Sequence, residues 1–248
     1  MTDAAVITRI HDDGWAELIL NRPDRKNAIN GPLGEALAAG AEELSNNDEV
    51  KAIVFRGAGG AFCSGLDLKE FNADPAPDWH ADFQNTWRCA HRALFQCGKP
   101  IIGALERYAI NGGAALALAC DLLVVGKTAF VQVGEIQIGM AAPYNLAWLS
   151  LRHSESTMAQ VALLGERLSG ETLAQMGLAQ YCVADDEVLG RAELLAQQIG
   201  AYPEGGIGRI KAGLRARLDG DADAWFDRFT GVDPVGAQVR PSSMSDRA

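Results

Sequence analysis

Several features that often decide function are scarce in this chain of 248 residues. Its five cysteines, Cys63, Cys89, Cys97, Cys120 and Cys182, are odd in number and show no Cys-x-x-Cys pair or metal-ligand spacing. That argues against a disulfide framework and a metal site, and it fits reduced thiols in a cytoplasmic setting. The four histidines, His11, His80, His91 and His153, form no triad-like or metal-like pattern. Positive charge is in deficit, 22 Lys and Arg against 32 Asp and Glu, a formal net charge of −10. Neither nucleic acid nor an anionic membrane surface is therefore expected as a partner. The longest apolar run, residues 114–125, is interrupted by Asp121 and is too short to span a bilayer. No basic stretch precedes an apolar one near Met1, so no signal peptide is expected and the protein is read as soluble.

What is present suits a packed globular domain. Hydrophobic residues make up 48% and charged ones 22%, and the length allows one substantial core. Residues 6–10 and 15–20 read as a hairpin around His11-Asp12-Asp13-Gly14. Pro32 in a first turn, then Leu33, Leu37, Ala41 and Leu44, predict a helix that ends near Asn46-Asn47. Residues 50–55 return to strand, and the polar, proline-containing residues 72–78 read as mobile. A helix is expected over 79–97, stopped by Gly98 and Pro100. Strand 101–105, helix 112–119, strand 122–125, an N-cap at Ser169 and a helix over 189–199 follow. The tail from residue 231 reads as disordered. Repeated strand-helix alternation predicts right-handed crossovers and largely parallel sheets.

Two glycine-anchored segments carry the chemistry: Ala61-Phe62-Cys63-Ser64-Gly65-Leu66-Asp67-Leu68 and Ala109-Ile110-Asn111-Gly112-Gly113-Ala114-Ala115. Each follows an apolar strand, and the second opens an Ala/Leu helix. Backbone N–H groups at a helix start have no partner within the helix, and they sit at the positive end of its dipole. At Gly112 no Cβ blocks a ligand from that backbone. One N–H from each loop could hold an oxygen that gains charge during reaction, an oxyanion hole.

Taken together, the two loops resemble the crotonase superfamily of enoyl-CoA hydratases and isomerases. Lys99-Pro100-Ile101-Ile102-Gly103-Ala104, Ala119-Cys120-Asp121, Asn21-Arg22-Pro23-Asp24-Arg25-Lys26-Asn27-Ala28 and Gly134-Glu135-Ile136-Gln137-Ile138-Gly139 match in the family's order and spacing. The resemblance runs from about residue 6 to residue 200. It implies an α/β spiral of repeated ββα units, with residues 1–200 as an acyl-CoA-binding core. Residues 201–248 would then be a C-terminal helical trimerisation region with a disordered tail. It also implies that the oxyanion donors are the N–H groups of Leu66 and Gly112. The CoA contacts it implies fall on Arg25, Lys26, Ala28, Ser64, Leu66, Asp67, Leu68, Lys69 and Gly112, with Arg22 nearby. CoA enters only as part of the substrate; no separate cofactor or metal is expected.

The family's hydratases use two glutamates. One falls on Glu135; the other position holds Ala115. Hydration needs a group to activate water and a proton source for the α carbon, work that one carboxylate does poorly. Moving a double bond needs only one base that takes a proton from one carbon and returns it to another. Isomerisation of an enoyl-CoA in fatty-acid or related acyl-CoA metabolism is thus the expected function, with Glu135 as proton carrier. Hydration of a 2-enoyl-CoA and acyl-CoA binding without catalysis are the alternatives. Tyr144 and Glu106 are candidate replacement proton donors, and Met140, Tyr144, Trp148 and Leu66 would make the acyl end apolar. Cys63, in the first loop, is expected to pack rather than react. Arg107 stands before Tyr108 where the family usually has glycine. The resemblance implies a homotrimer or homohexamer. Over residues 205–218, an apolar stripe of Ile207, Ile210, Leu214 and Leu218 is expected to dock, leaving Arg209, Lys211, Arg215 and Arg217 to face CoA phosphates.

Overall fold

The computed structural model describes residues 4–218 and 220–231. Strands β1 (Val6–His11) and β2 (Trp15–Leu20) pair antiparallel across a turn in which Gly14 takes φ +81°. Asn30 then caps helix α1 (Gly31–Asn46), accepting from the Leu33 N–H, and Leu33, Leu37, Ala41 and Leu44 form its buried face. The chain continues through β3 (Ala52–Gly57), α2 (Leu68–Phe71), α3 (Phe83–Gln96), β4 (Ile101–Leu105), β5 (Tyr108–Ile110) and α4 (Gly112–Ala119). Next come β6 (Leu122–Gly126), β7 (Phe130–Gln132), α5 (Pro143–Ser150), α6 (Glu155–Leu164), β8 (Arg167–Ser169) and α7 (Gly170–Gln175). The last elements are β9 (Tyr181–Val183), α8 (Val188–Gly200), α9 (Gly206–Arg215) and α10 (Ala222–Thr230).

Two sheets result. The larger has the order β1-β2-β3-β4-β6-β9, parallel in every pair except β1–β2. The smaller has the order β5-β7-β8, with β5–β7 parallel and β7–β8 antiparallel. Successive strands β4, β5, β6 and β7 fall alternately in the large and the small sheet. Each circuit therefore lays one strand in each layer, which is the expected spiral of ββα units. The inner strands β3, β4 and β6 are mostly buried and largely apolar, whereas the edge strand β1 carries Thr8, Arg9 and His11 and is mostly half-buried or exposed. Alternation divides β3: Ile53 and Phe55 join the main core, while Ala52 and Val54 pack with Val188, Ala192, Leu195 and Ala196 of α8.

Two expectations are corrected. The helix expected over 79–97 starts at Phe83, because residues Asp78–Asp82 wind as a tighter turn. Trp79 explains the tightening. It lies so close to Gly31 that a Cβ there would be 2.4 Å from its own, and its Nε1 donates to Glu70. Helix α9 is also turned the other way from expectation: Ile210 and Leu214 are exposed and Lys211 is buried. The cause is Asp121. Lys211 Nζ donates to its Oδ2 at 2.6 Å and to the Lys99 carbonyl at 2.7 Å, and Arg152 and Arg215 lie 3.3 and 3.9 Å from Oδ1. A buried carboxylate draws its countercharges inward, so Lys211 and Arg215 are not free for phosphates, whereas Arg209 is exposed. Helix α10 packs into the main core: Phe226 is fully buried against Trp148, His91, Tyr144 and Phe95. The expectation for the tail beyond Gly231 lies outside the described residues.

Candidate active site

Three segments are stitched side by side to make the first loop. Asn27, fully buried with φ +54°, donates through Nδ2 to the carbonyls of Ala58 at 2.9 Å and Ala61 at 2.7 Å. Ile29 N–H donates to the Gly65 carbonyl at 2.8 Å, and Asp67 N–H to the Ile29 carbonyl at 2.8 Å. On the other side, Cys63 N–H donates to Tyr108 and Ile110 N–H to the Cys63 carbonyl, each at 3.1 Å. Gly65 has φ +89°, and a Cβ there would come within 2.9 Å of the Ile110 carbonyl. The two loops are thus in contact at Gly65 and Ile110. One residue past Gly65 lies Leu66, and one past Asn111 lies Gly112. Among the described residues, no acceptor takes the N–H of Leu66 or of Gly112. Gly112 opens α4, where an unpartnered N–H is intrinsic to helix geometry.

Asn111 holds the second loop. Its φ of +52° with ψ −116° is strained for any residue other than glycine. Four bonds hold it there: its N–H donates to Gln132 at 2.8 Å and its Oδ1 accepts from the Gly134 N–H at 2.8 Å. Its carbonyl accepts from the Ala115 N–H at 3.1 Å and from Asn145 Nδ2 at 3.2 Å. Gly134 precedes Glu135, so the loop carrying Glu135 is bonded directly to the loop that leads into α4. Asn145 Nδ2 also donates to Glu135 Oε1 at 2.9 Å. Glu135 Oε2 and Asn145 Oδ1 are covered from solvent and have no hydrogen-bond partner among the described residues. Burial pushes the Glu135 carboxyl up to about 7, with its own backbone N–H and Asn145 pulling the other way. A carboxyl titrating near neutrality beside two unpartnered N–H groups is equipped to take and return a proton.

The other expected residues fall as follows. Ala115 is fully buried on α4, with no room left open to solvent. Asp67, itself buried, caps α2 and is paired with Arg25 at 2.9 Å and Arg22 at 3.3 Å. These arginines hold its carboxyl below the usual carboxylate range despite burial. Glu70 takes Arg22 at 3.0 Å, and Asn30 donates to it. Arg22 also donates to the Ala28 carbonyl at 2.5 Å. Both arginines are therefore committed to building the loop, whereas Lys26 and Lys69 are exposed and have no side-chain partner among the described residues. Ser64 anchors the loop through its N–H, which donates to the Lys26 carbonyl at 3.1 Å, and Leu68 is the first residue of α2.

Cys63 is packed, not reactive. It is fully buried, its Sγ donates to the Asn27 carbonyl at 3.1 Å, and burial pushes its thiol up to about 12. Burial likewise pushes Tyr144 up to about 12; the charges acting on it are Arg88, Asp227 and Asp223, and Glu135 is not among them. Glu106 is raised by burial, opposed by Arg56 and Arg107, again without Glu135. Among the described residues, neither candidate donor hydrogen-bonds to Glu135.

Sequence reasoning missed Asn111, Asn145 and Trp87. A Cβ placed on Gly112 would meet Ile29 Cδ1 at 3.0 Å and Trp87 Cζ2 at 3.5 Å, so these two side chains wall the hole. Trp87 stands edge-on to His91 with ring centres 4.5 Å apart, and His91 stacks on Tyr144 at 4.2 Å. Burial drives His91 down to about 3, so it is neutral; its Nδ1 accepts from Trp148 Nε1 at 2.9 Å, which places its proton on Nε2. The i, i+4 spacing of Trp87 and His91 on α3 was the signal that could have found them on one face. The asparagines gave no such signal, because their role depends on residues far away in the chain. A surface cleft of about 500 Å³, lined by Ser45, Lys51, Lys99 and Glu204 among others, includes none of the oxyanion-loop residues.

Comparison with known proteins agrees with this geometry. Residues 11–225 match the family model described as enoyl-CoA hydratase/isomerase. The chain is 30% identical over 220 residues to 1,2-epoxyphenylacetyl-CoA isomerase of Escherichia coli K12, covering 87% of this chain and 84% of that one. It is 32% identical over 209 residues to a probable enoyl-CoA hydratase of Mycobacterium tuberculosis H37Rv, covering 83% and 79%. An enoyl-CoA hydratase/carnithine racemase structure from Magnetospirillum magneticum superposes with TM-score 0.78 at 27% identity, covering 87% and 81%. For fold alone, an enoyl-CoA hydratase from Mycobacterium avium subsp. paratuberculosis superposes with TM-score 0.80 at 23% identity, covering 93% and 92%. With its paired oxyanion loops and buried glutamate, the chain belongs to the enoyl-CoA hydratase/isomerase family of enzymes.

Proposed function

We propose that the protein isomerises the double bond of an enoyl-CoA thioester. The thioester oxygen accepts from the N–H groups of Leu66 and Gly112, and Glu135 Oε2 faces the carbon chain. In a 3-enoyl thioester the C2 proton is acidified by both the carbonyl and the alkene. Glu135 takes that proton, the C–H electron pair moves into the thioester, and the oxygen becomes an enolate held by the two N–H groups. The proton is returned at C4, leaving the double bond between C2 and C3. The observation that carries this reading is the buried Glu135 carboxyl raised to about 7, with Ala115 where a second acid would be needed. Lys26 and Lys69, the unpaired cations of the loop, are assigned to the CoA phosphates, and Ala28, Ser64 and Leu68 to the backbone around them.

Hydration is the second reading. It is favoured by Glu135 Oε2 and Asn145 Oδ1, two buried acceptors in one site without donors, which a water could bridge. Incubation with a 2-enoyl-CoA and a 3-enoyl-CoA, following absorbance of the conjugated thioester, separates them. Interconversion supports isomerisation, and loss of conjugation with gain of a 3-hydroxyacyl-CoA supports hydration. Turnover of neither substrate would contradict both.

The assembly belongs to the same reading: a homotrimer, or a pair of trimers, in the cytoplasm. It is supported by the outward apolar face of α9, where Ile210 is 68% and Leu214 59% exposed. No helix among the described residues is long and apolar enough to cross a membrane.

A further inference from the structure

A buried base needs one oxygen restrained and the other left free, and the contacts of Asn145 supply both conditions. Its amide could in principle sit either way round, with oxygen or nitrogen toward Glu135. The Asn111 carbonyl decides between them. It lies 3.2 Å from the same Asn145 atom that lies 2.9 Å from Glu135 Oε1. A carbonyl cannot donate, so that atom is Nδ2, and its two hydrogens go one to each oxygen. Asn111 is in turn held by Gln132, Gly134 and Ala115. The amide is therefore fixed as a donor toward the glutamate.

We propose that Asn145 is the positioning residue of the base: it holds Oε1, stabilises the ionised carboxylate and leaves Oε2 as the proton-transfer atom. This rests on the isomerase reading for its catalytic consequence, though not for its electrostatic one. The surroundings make Asn145 decisive. Glu135 meets no charged partner, its carboxyl being shaped by burial, its own backbone N–H and Asn145. Helix α4 and strand β7 bring no titratable side chain to it. Helix α5 carries Tyr144 alone, whose stacking partner is His91, and α6 carries Glu155, which is exposed. The single side-chain donor thus stands where a countercharge would otherwise be needed. The link through Asn111 also ties Glu135 to the residue that precedes α4, joining the two loops through one amide.

The test is the titration of Glu135 in the full-length protein. Infrared difference spectra between acid and alkaline samples report the protonated carboxyl, and the band that vanishes in Glu135→Gln is assigned to it. A hydrogen bond to a charged group is worth about 1.5–3 kcal/mol, equivalent to roughly 1–2 pH units. In Asn145→Leu, of similar size and without a donor, the midpoint is expected to rise by at least about one unit. Turnover of 3-enoyl-CoA at pH 7 should fall roughly tenfold and recover at alkaline pH, with KM for the thioester little changed. Asn145→Asp, which replaces the donor with an acceptor, is expected to raise the midpoint as well and serves if Asn145→Leu does not fold. An unchanged or lowered midpoint in a folded variant would overturn the proposal. The infrared arm needs no turnover, so an enzyme inactive on enoyl-CoA with a raised midpoint in Asn145→Leu would refute the isomerase reading and leave this inference standing.

Discussion

A carboxyl withdrawn from water is hard to ionise, and Glu135 displays that cost in its titration near 7 against an ordinary 4.5. The raised value makes it a usable base at neutral pH and a load on the fold. Because the folded state binds the proton more tightly than the unfolded chain, stability falls as pH rises through the window from about 4.5 to 7. A shift of that size corresponds to about 3 kcal/mol once both states are ionised. Glu135→Gln keeps the shape and removes the charge. Urea unfolding should show the variant little different from the parent at pH 4.5 and more stable at pH 8, by up to about 3 kcal/mol. Equal stability at pH 8 would mean the carboxyl is solvated. Glu135 was marked as a candidate in the sequence by its Gly134 and Ile136-Gln137-Ile138-Gly139 frame. Asn145, ten residues on in a segment where Met140-Ala141-Ala142-Pro143-Tyr144 departs from the family's pattern, was not. A side chain that works by bonding two partners from different loops leaves no periodicity behind.

At the scale of elements, the oxyanion hole depends on a helix start. Pro is tolerated at the first helical position, where the N–H has no helical partner anyway, so Gly112→Pro deletes one donor while α4 persists. Ile29 Cδ1, 3.0 Å from the added Cβ, is the end of a flexible chain and can give way. Turnover should fall by roughly 10²-fold or more, and unchanged turnover in a folded variant would remove Gly112 from the hole. The elements themselves were largely legible: α1, α4, α8, β2 and β4 match their apolar periodicity within a residue or two. Arg107, in place of the family's glycine, takes φ +55°, which shows why glycine is usual there. The orientation of α9 was not legible, because its pattern favoured burial of Ile210 and Leu214. The ion pairs of Lys211, Arg152 and Arg215 with Asp121 join residues up to 94 positions apart, and they outweighed that pattern.

For the whole molecule, the spiral explains how two loops 45 residues apart meet. Strands β4 and β5 pass from one sheet to the other, and pairing of Cys63 with Ala109 brings the first loop against the second. The same fold leaves α9 with its apolar side outward, which is costly for a lone subunit of 26.4 kDa. Sedimentation equilibrium at micromolar concentration should give three or six times that mass, and Ile210→Asp combined with Leu214→Asp should lower it. A monomer mass for the parent would contradict the assembly. In the isomerase reading, the buried Glu135 carboxyl carries the proton between C2 and C4 while the two N–H groups hold the enolate. Its most direct measurement is the pH dependence of 3-enoyl-CoA conversion to 2-enoyl-CoA by the parent and by Glu135→Gln. The parent's rate should rise through about pH 7, following ionisation of Glu135, and Glu135→Gln should be inactive across the range. Conversion retained by Glu135→Gln, or a parent rate flat across pH 5–9, would contradict it.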